Sequence, residues 1–269
     1  MLEGVAETML VTVYLRAVDA RSSTPILGDP YAVGLVDRLA SDGHSFTKYA
    51  LGRGNAPVIA ARGRRLDAWT RGFLDAHPDG QVLHLGCGLD SRPLRVHRPA
   101  GSRWVDVDQA EVIALRRELY DLPPEIVTIP ASVTDPGWWD EVEPALPTIL
   151  VAEGLLMYLP DVEVHALVDR ARERLTAGVE LAFDGFAPWV ITLTRWSRYL
   201  QSSGIRLASP LEDLTAGRPG ARTLADLSVV GELAHGSAPG PLLRAVFGGL
   251  DVVPFMDDAF RLVHLELAA

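Results

Sequence analysis

Beyond Gln81, short apolar runs alternate with longer amphipathic stretches. Residues 82–85, 103–107, 126–129, 148–152 and 179–183 are brief, apolar and bounded by glycine, proline or polar residues, which predicts strands. The segments between them are long enough for crossovers. Leu94 falls on one, and residues 112–120 and 162–175 repeat apolar positions at helical spacing. Such a rhythm predicts parallel strands wound by helices. Before Gln81 the pattern is helical only, over residues 6–20, 31–39 and 56–77, with Asp29-Pro30 as a start signal for the second helix. After Phe186 the alternation breaks: residues 188–207 hold Trp189 and Trp196 among Arg195, Arg198 and Arg206, and predict a lid inserted after the fifth strand. Residues 260–267 alternate again, as a last strand expected to close the sheet in a hairpin with residues 223–230.

Glycine and proline punctuate these segments without gathering into a linker, and no solenoid-type repeat is present, so 269 residues predict one elaborated α/β domain. Its parts are a helical cap over residues 1–80, a cofactor-binding core over 81–187, a lid over 188–222 and closing strands over 223–269. A composition of 48% hydrophobic and 22% charged residues excludes wholesale disorder. The net charge of −10 argues against non-specific nucleic-acid binding, which needs a cationic surface. One cysteine, Cys87, permits neither an internal disulfide nor a cysteine-rich zinc site and fits a reducing compartment. No basic-then-apolar signal opens the chain, and the longest apolar stretch, residues 148–159, is too short to span a bilayer and contains Glu153. A soluble cytoplasmic protein without a metal site is expected; oligomeric state has no signature in the sequence.

The first strand runs directly into Gly86-Cys87-Gly88-Leu89-Asp90-Ser91, and the next ends at Asp106 and Asp108. In doubly wound sheets ligands bind at the strands' carboxyl ends, where glycines admit close backbone approach and an acid on the second strand accepts ribose hydroxyls. A dinucleotide fingerprint would place a third glycine where Ser91 stands, which disfavours pyrophosphate and a nicotinamide oxidoreductase. An adenosine cofactor without phosphate fits better, and S-adenosylmethionine is the common one. Taken alone, Gly-x-Gly can be no more than a tight turn; the acid one strand later adds the functional meaning. Asp106 and Asp108 project to the same side of an extended strand. Asp108, nearer the mouth, is the expected ribose holder, and its plainer alternative is to cap the helix starting near Glu111.

Glu153 interrupts an apolar run at the end of the fourth strand. An ionised carboxylate there needs a partner, either in a ligand site or in a structural pair with an arginine of the N-terminal helices. Arg62 poses the mirror question on an apolar helix face, where a guanidinium is a natural fork for a carboxylate such as a methionyl tail. Arg64 and Arg65 read more simply as solvated.

Together, Arg62-Gly63-Arg64-Arg65-Leu66-Asp67, His84-Leu85-Gly86-Cys87-Gly88-Leu89-Asp90-Ser91-Arg92, Trp104-Val105-Asp106-Val107-Asp108 with Val112-Ile113-Ala114-Leu115-Arg116-Arg117, and Ala152-Glu153-Gly154-Leu155-Leu156-Met157-Tyr158-Leu159 resemble the leucine carboxyl methyltransferase family. The likeness is to its bacterial branch of polyketide-type, tetracenomycin-like O-methyltransferases, with weaker matches at Asp29-Pro30-Tyr31-Ala32 and residues 183–189. The resemblance implies a class I methyltransferase fold: a Rossmann-like, mostly parallel seven-stranded sheet with S-adenosylmethionine at the strand ends. It implies Arg62 on the cofactor's carboxylate, Gly86 near its methionyl part, Asp108 on the ribose, Ser132 at the adenine amine and Glu153 on the methionyl side, with Cys87, Gly88 and Val133 also among the cofactor-binding residues. Two positions depart from the family pattern: His84 stands where an acid usually precedes the glycine loop, and Ser132 where an aspartate usually meets the adenine amine. Asp135 is the nearest acid that could substitute for it.

Methyl transfer from a sulfonium asks for alignment and a nucleophile. A carboxylate acceptor needs no base, and Arg16 and Arg195 are the candidate tethers for it, with Tyr158 and Trp189 as walls. A phenol or alcohol would need a base, for which His165 and His235 are candidates outside any recognisable constellation. The resemblance therefore implies O-methylation of a carboxyl or hydroxyl group on a small, polyketide-like molecule. The rival is a catalytically silent module that binds the cofactor or its product, motivated by Ser132 and His84.

Overall fold

The computed structural model describes residues 5–194, 207–210, 213–236, 240–251 and 255–268. Three helices come first: α1 (Val5–Ala20), α2 (Pro30–Ser41) and α3 (Ala56–Ala76). The Asp29 carboxylate accepts the Tyr31 and Ala32 N–H groups at 3.0 and 3.1 Å, and Pro30 occupies the first turn, so the start of α2 is fixed locally. The core follows as β1 (Gln81–Leu85), α4 (Arg92–Arg95), β2 (Arg103–Asp108), α5 (Ala110–Leu119), β3 (Ile126–Pro130), β4 (Thr148–Ala152), α6 (Asp161–Arg174) and β5 (Val179–Phe186). Every residue of β1 and β4 is buried, which is why both read as continuous apolar runs rather than alternating ones. In α6, Asp161 and Glu163 lie in the first turn and Arg172 and Arg174 in the last, complementing the helix dipole.

The described strands form one seven-stranded sheet in the order β3-β2-β1-β4-β5-β7-β6, where β6 is Arg222–Ser228 and β7 is Phe260–Leu267. The first five are mutually parallel, and β7 runs antiparallel between β5 and β6. The expected pairing of the last two strands is present, but it is no tight hairpin. Helices α8 (Val229–His235) and α9 (Pro241–Asp251) lie between them in sequence. Val229 and Val230 belong to α8 rather than to the strand, because Ser228 accepts the Gly231 N–H and starts a helix. Of the expected lid, α7 (Pro188–Thr194) is described; Arg195, Trp196, Arg198 and Arg206 lie outside the described residues.

The chain winds outward from β1 in one direction to β3 and then returns to the other side at β4, which places a topological switch between β1 and β4. One sheet face packs on α6 through Leu83, Leu150, Leu167, Val168 and Leu181, and the other on α3 through Leu66, Leu74, Trp104 and Ile149. Helices α1 and α2 form a further apolar cluster that reaches Leu89 of the glycine loop, so α1 is held over the carboxyl ends of the strands.

Candidate active site

Beyond β1 the backbone turns through left-handed conformations at Gly86 (φ 58°) and Gly88 (φ 48°). The left-handed backbone at Gly86 favours glycine, and a Cβ there would also crowd Leu155 Cδ1 at 2.8 Å. The loop is stitched to β2. Gly86 N–H donates to the Val107 carbonyl at 2.8 Å, and Gly88 N–H donates to Asp108 Oδ2 at 2.8 Å. The other Asp108 oxygen accepts the Gln109 N–H at 2.7 Å, which leaves the capping alternative unrealised. Burial pushes the Asp108 carboxyl above its ordinary range, and the two N–H bonds offset part of that. Asp106, on the same strand face, is wholly buried and serves the interior: its oxygens bond His84 Nδ1 at 3.0 Å, Trp104 Nε1 at 2.9 Å and Arg116 Nε at 2.8 Å. His84 is thus a structural partner of Asp106.

At the end of β4, burial alone would raise the Glu153 carboxyl, but three guanidinia outweigh it and hold the group well below the usual carboxylate range. Arg16 Nη2 lies 2.6 Å from Oε1, Arg62 Nε 2.9 Å from Oε1, and Arg92 Nη2 2.5 Å from Oε2. The network continues outward. Arg16 Nη1 pairs with Asp90 at 2.7 Å, Arg92 Nε with Asp67 at 2.7 Å, Arg95 with both Asp67 and Asp90, and Arg62 Nη1 with Asp184 Oδ2 at 3.1 Å. A pair between Glu153 and arginines of the N-terminal helices is therefore what the fold builds, at the edge of the cleft. Arg65, expected to be solvated, is bonded to Glu232 at 2.6 Å, and Arg64 approaches the same acid at 3.6 Å.

A cavity of about 300 Å³ opens at the switch point. Arg16, Arg62, Gly86, Cys87, Gly88, Glu153 and Tyr158 all line it, so these expected residues, drawn from α1, α3 and the ends of β1 and β4, meet in one place. Met9, Thr12 and Leu15 of α1 form another wall, and Phe186 and Met157 close the side toward β5. Asp108, Ser132 and Val133 are not part of this wall. Ser132 is exposed, and its hydroxyl is bonded to Thr134 Oγ1 at 2.9 Å; the Val133 carbonyl accepts the Trp138 indole N–H. Asp135, the acid expected as a substitute, has its Oδ1 engaged in a local turn, where it accepts the N–H of Gly137 at 2.8 Å. Trp189 lies elsewhere, edge-to-face on Phe255 in a shallow surface concavity with Asp226 and Arg261. Arg16 reaches the cavity with both terminal nitrogens committed to Asp90 and Glu153, so the acceptor tether expected of it is already engaged.

Neither candidate histidine reaches the cavity. His165 bonds Arg218 at 3.0 Å, and His235 bonds Asp251 at 2.7 Å. Burial raises the Cys87 thiol well above its ordinary range, with Asp106 adding to the effect, so it stays protonated. The sequence assigns no individual role to Asp67, Asp90, Arg92, Arg95 and Asp184. Arg92 and Asp90 sit in a stretch that looks like an open polar loop, and only the tertiary fold shows that Arg92 is completely buried. The donor set suits a zwitterionic amino-acid tail: Arg62 keeps Nη2 beyond its bonds to Glu153 and Asp184, and glycine backbone forms the opposite wall.

The sequence profile described as leucine carboxyl methyltransferase matches residues 9–172. The tetracenomycin polyketide synthesis O-methyltransferase TcmP of Streptomyces glaucescens is 35% identical over 98% of this chain and 97% of its own length. The S-adenosyl-L-methionine-dependent methyltransferase dpfgK of Gibberella zeae is 32% identical over 79% and 77%. Among solved structures, a protein from Streptomyces avermitilis superposes with a TM-score of 0.57 at 16% identity, over 95% of this chain and 97% of that one. The mycolic acid cyclopropane synthase CmaA1 superposes with a TM-score of 0.51 at 13% identity, over 98% and 99%. These two speak for the fold, and the sequence relatives speak for the family. The chain belongs to the leucine carboxyl methyltransferase family.

Proposed function

We propose that this methyltransferase esterifies a carboxyl group of a small molecule, of the polyketide-like class that TcmP's name records for that relative. S-adenosylmethionine, when bound, supplies an electrophilic methyl group on a sulfonium. Arg62 and the Gly86–Gly88 backbone would receive its methionyl tail, Asp108 its ribose hydroxyls, and Ser132 and Val133 its adenine. Glu153 keeps Arg62 and Arg16 in place at the tail.

One observation carries the choice of acceptor: among the described residues, the carboxylates and the imidazole lining the cavity are all committed. Asp90 and Glu153 face arginines, and His84 is locked on Asp106. The Tyr158 phenol is raised by burial and remains a donor rather than a base. A carboxylate is ionised at neutral pH and attacks without giving up a proton, so such a cavity suffices for it; a phenol or alcohol would lack the base it needs. Tyr158, Met157 and Phe186 then shape the acceptor side and exclude water. The test is incubation with methyl-labelled S-adenosylmethionine and matched aromatic carboxylic acids and phenols. Label released by mild alkali from acid-derived products is expected, because methyl esters hydrolyse. Alkali-stable label on phenols, with none on acids, would overturn the assignment.

A further inference from the structure

Asp184 is a fully buried acid whose neighbours are functional but which the roles above leave without one. In the register of β4 and β5, Ala152 is opposite Phe183, so the residues that follow this last pair are Glu153, just beyond β4, and Asp184, within β5. Neighbouring carboxylates repel, and Arg62 is inserted between them, with Nε on Glu153 at 2.9 Å and Nη1 on Asp184 Oδ2 at 3.1 Å. The remaining oxygen, Oδ1, accepts the Gly154 N–H at 2.6 Å. Gly154 has φ 63°, and a Cβ there would stand 3.5 Å from Arg62 Nη1, so the turn after Glu153 abuts the guanidinium that Asp184 holds.

The two acids differ in what they depend on. Glu153 is shared by Arg16, Arg62 and Arg92, whereas the one cation bonded to Asp184 among the described residues is Arg62. A guanidinium held at Nε alone can rotate about that bond; a second point at Nη1 fixes its plane. We infer that Asp184 is a positioning residue: by clamping Arg62 Nη1 and the Gly154 N–H together, it sets the direction in which Nη2 faces the carboxylate of the cofactor's tail. The inference rests on the proposed role of Arg62. Asp184 is absent from the wall of the main cavity and acts through Arg62, not by touching the cofactor. Were Asp184 merely neutralising Arg62, its loss would free the guanidinium and tighten carboxylate binding, so the two roles predict opposite signs.

The experiment compares two ligands on the full chain by calorimetry: S-adenosylhomocysteine, which carries the amino-acid tail, and 5′-methylthioadenosine, which lacks it. In Asp184→Asn the homocysteine ligand should bind about tenfold more weakly, with the thioadenosine ligand unchanged. In an Arg62→Ala background the Asp184→Asn change should add no further loss. Equal losses for both ligands, tighter binding of the tailed ligand, or additive losses would overturn the inference. If Asp184→Asn does not fold, Asp184→Glu, which displaces the carboxylate by one methylene, should show the same tail-selective loss, and equal losses there contradict it in the same way. If Arg62→Ala keeps the wild-type preference for the tailed ligand, the reading of Arg62 fails and the inference with it. If that preference is lost in Arg62→Ala but kept in Asp184→Asn, the inference alone fails.

Discussion

At the end of the cleft proposed for the cofactor's tail, Arg62 comes from α3, Glu153 from the turn just beyond β4 and Asp184 from β5, and each is fixed by two or more charged or backbone partners. At the end proposed for the adenosine, Asp108 closes β2 and Ser132 and Val133 follow β3, and Ser132 is exposed with its hydroxyl turned to Thr134. The first end is pre-organised by a buried ionic network. The second depends on a single partly buried carboxylate and on backbone. Under the proposed placement of the cofactor, the tail would meet groups already held in a fixed geometry, while the base would meet groups that can rearrange at little cost.

Breaking the network at its centre should produce the largest effect. Glu153→Gln leaves Arg16, Arg62 and Arg92 facing a neutral amide and should cost about 3–5 kcal/mol of folding stability by denaturant unfolding at neutral pH. Because the folded Glu153 carboxyl is held below its unfolded value, its contribution is complete above the ordinary glutamate range of about 4.3 and is lost as pH falls through the folded value. The gap between wild type and Glu153→Gln should therefore narrow in acid. A constant gap would mean the charge is not what Glu153 contributes.

Next in size, Arg62→Ala should weaken S-adenosylhomocysteine binding about tenfold or more, as loss of a charge-assisted bond does, whereas Arg65→Ala, whose partner Glu232 lies away from the cavity, should leave it near wild type. Equal effects would erase the distinction between the two arginines. Smaller again, Ser132→Asp should sharpen the contrast by tightening cofactor binding a few-fold, since a carboxylate accepts the adenine amine more strongly than a hydroxyl. No gain would show that the third strand end does not meet the base. Smallest is Glu266→Gln, which removes an exposed pair with Arg222 and should change stability by about 1 kcal/mol or less.

The same contrast explains what was legible in the sequence. The strands of the core announced themselves because β1 and β4 are buried on both faces, and the glycine loop because its left-handed turns demand particular residues. Asp106 and Asp108 could be told apart by position, Asp106 lying buried among His84, Trp104 and Arg116 and Asp108 nearer the mouth. The partners of Glu153 could not be named individually, because Arg16, Arg62 and Arg92 come from three distant segments and are brought together only by the packing of α1 and α3 over the sheet. The hairpin expectation failed because pairing register does not reveal connection length: β6 and β7 pair across a segment that holds α8 and α9. Trp189, expected as a wall of the site, packs edge-to-face on Phe255 outside the main cavity.

The central claim, that an adenosine cofactor lies across both ends with its ribose on Asp108, is tested most directly by calorimetric titration of S-adenosylhomocysteine into wild type and Asp108→Ala. Saturable binding to the first and no measurable binding to the second are expected, with both proteins melting cooperatively. Near-normal affinity in Asp108→Ala would contradict it.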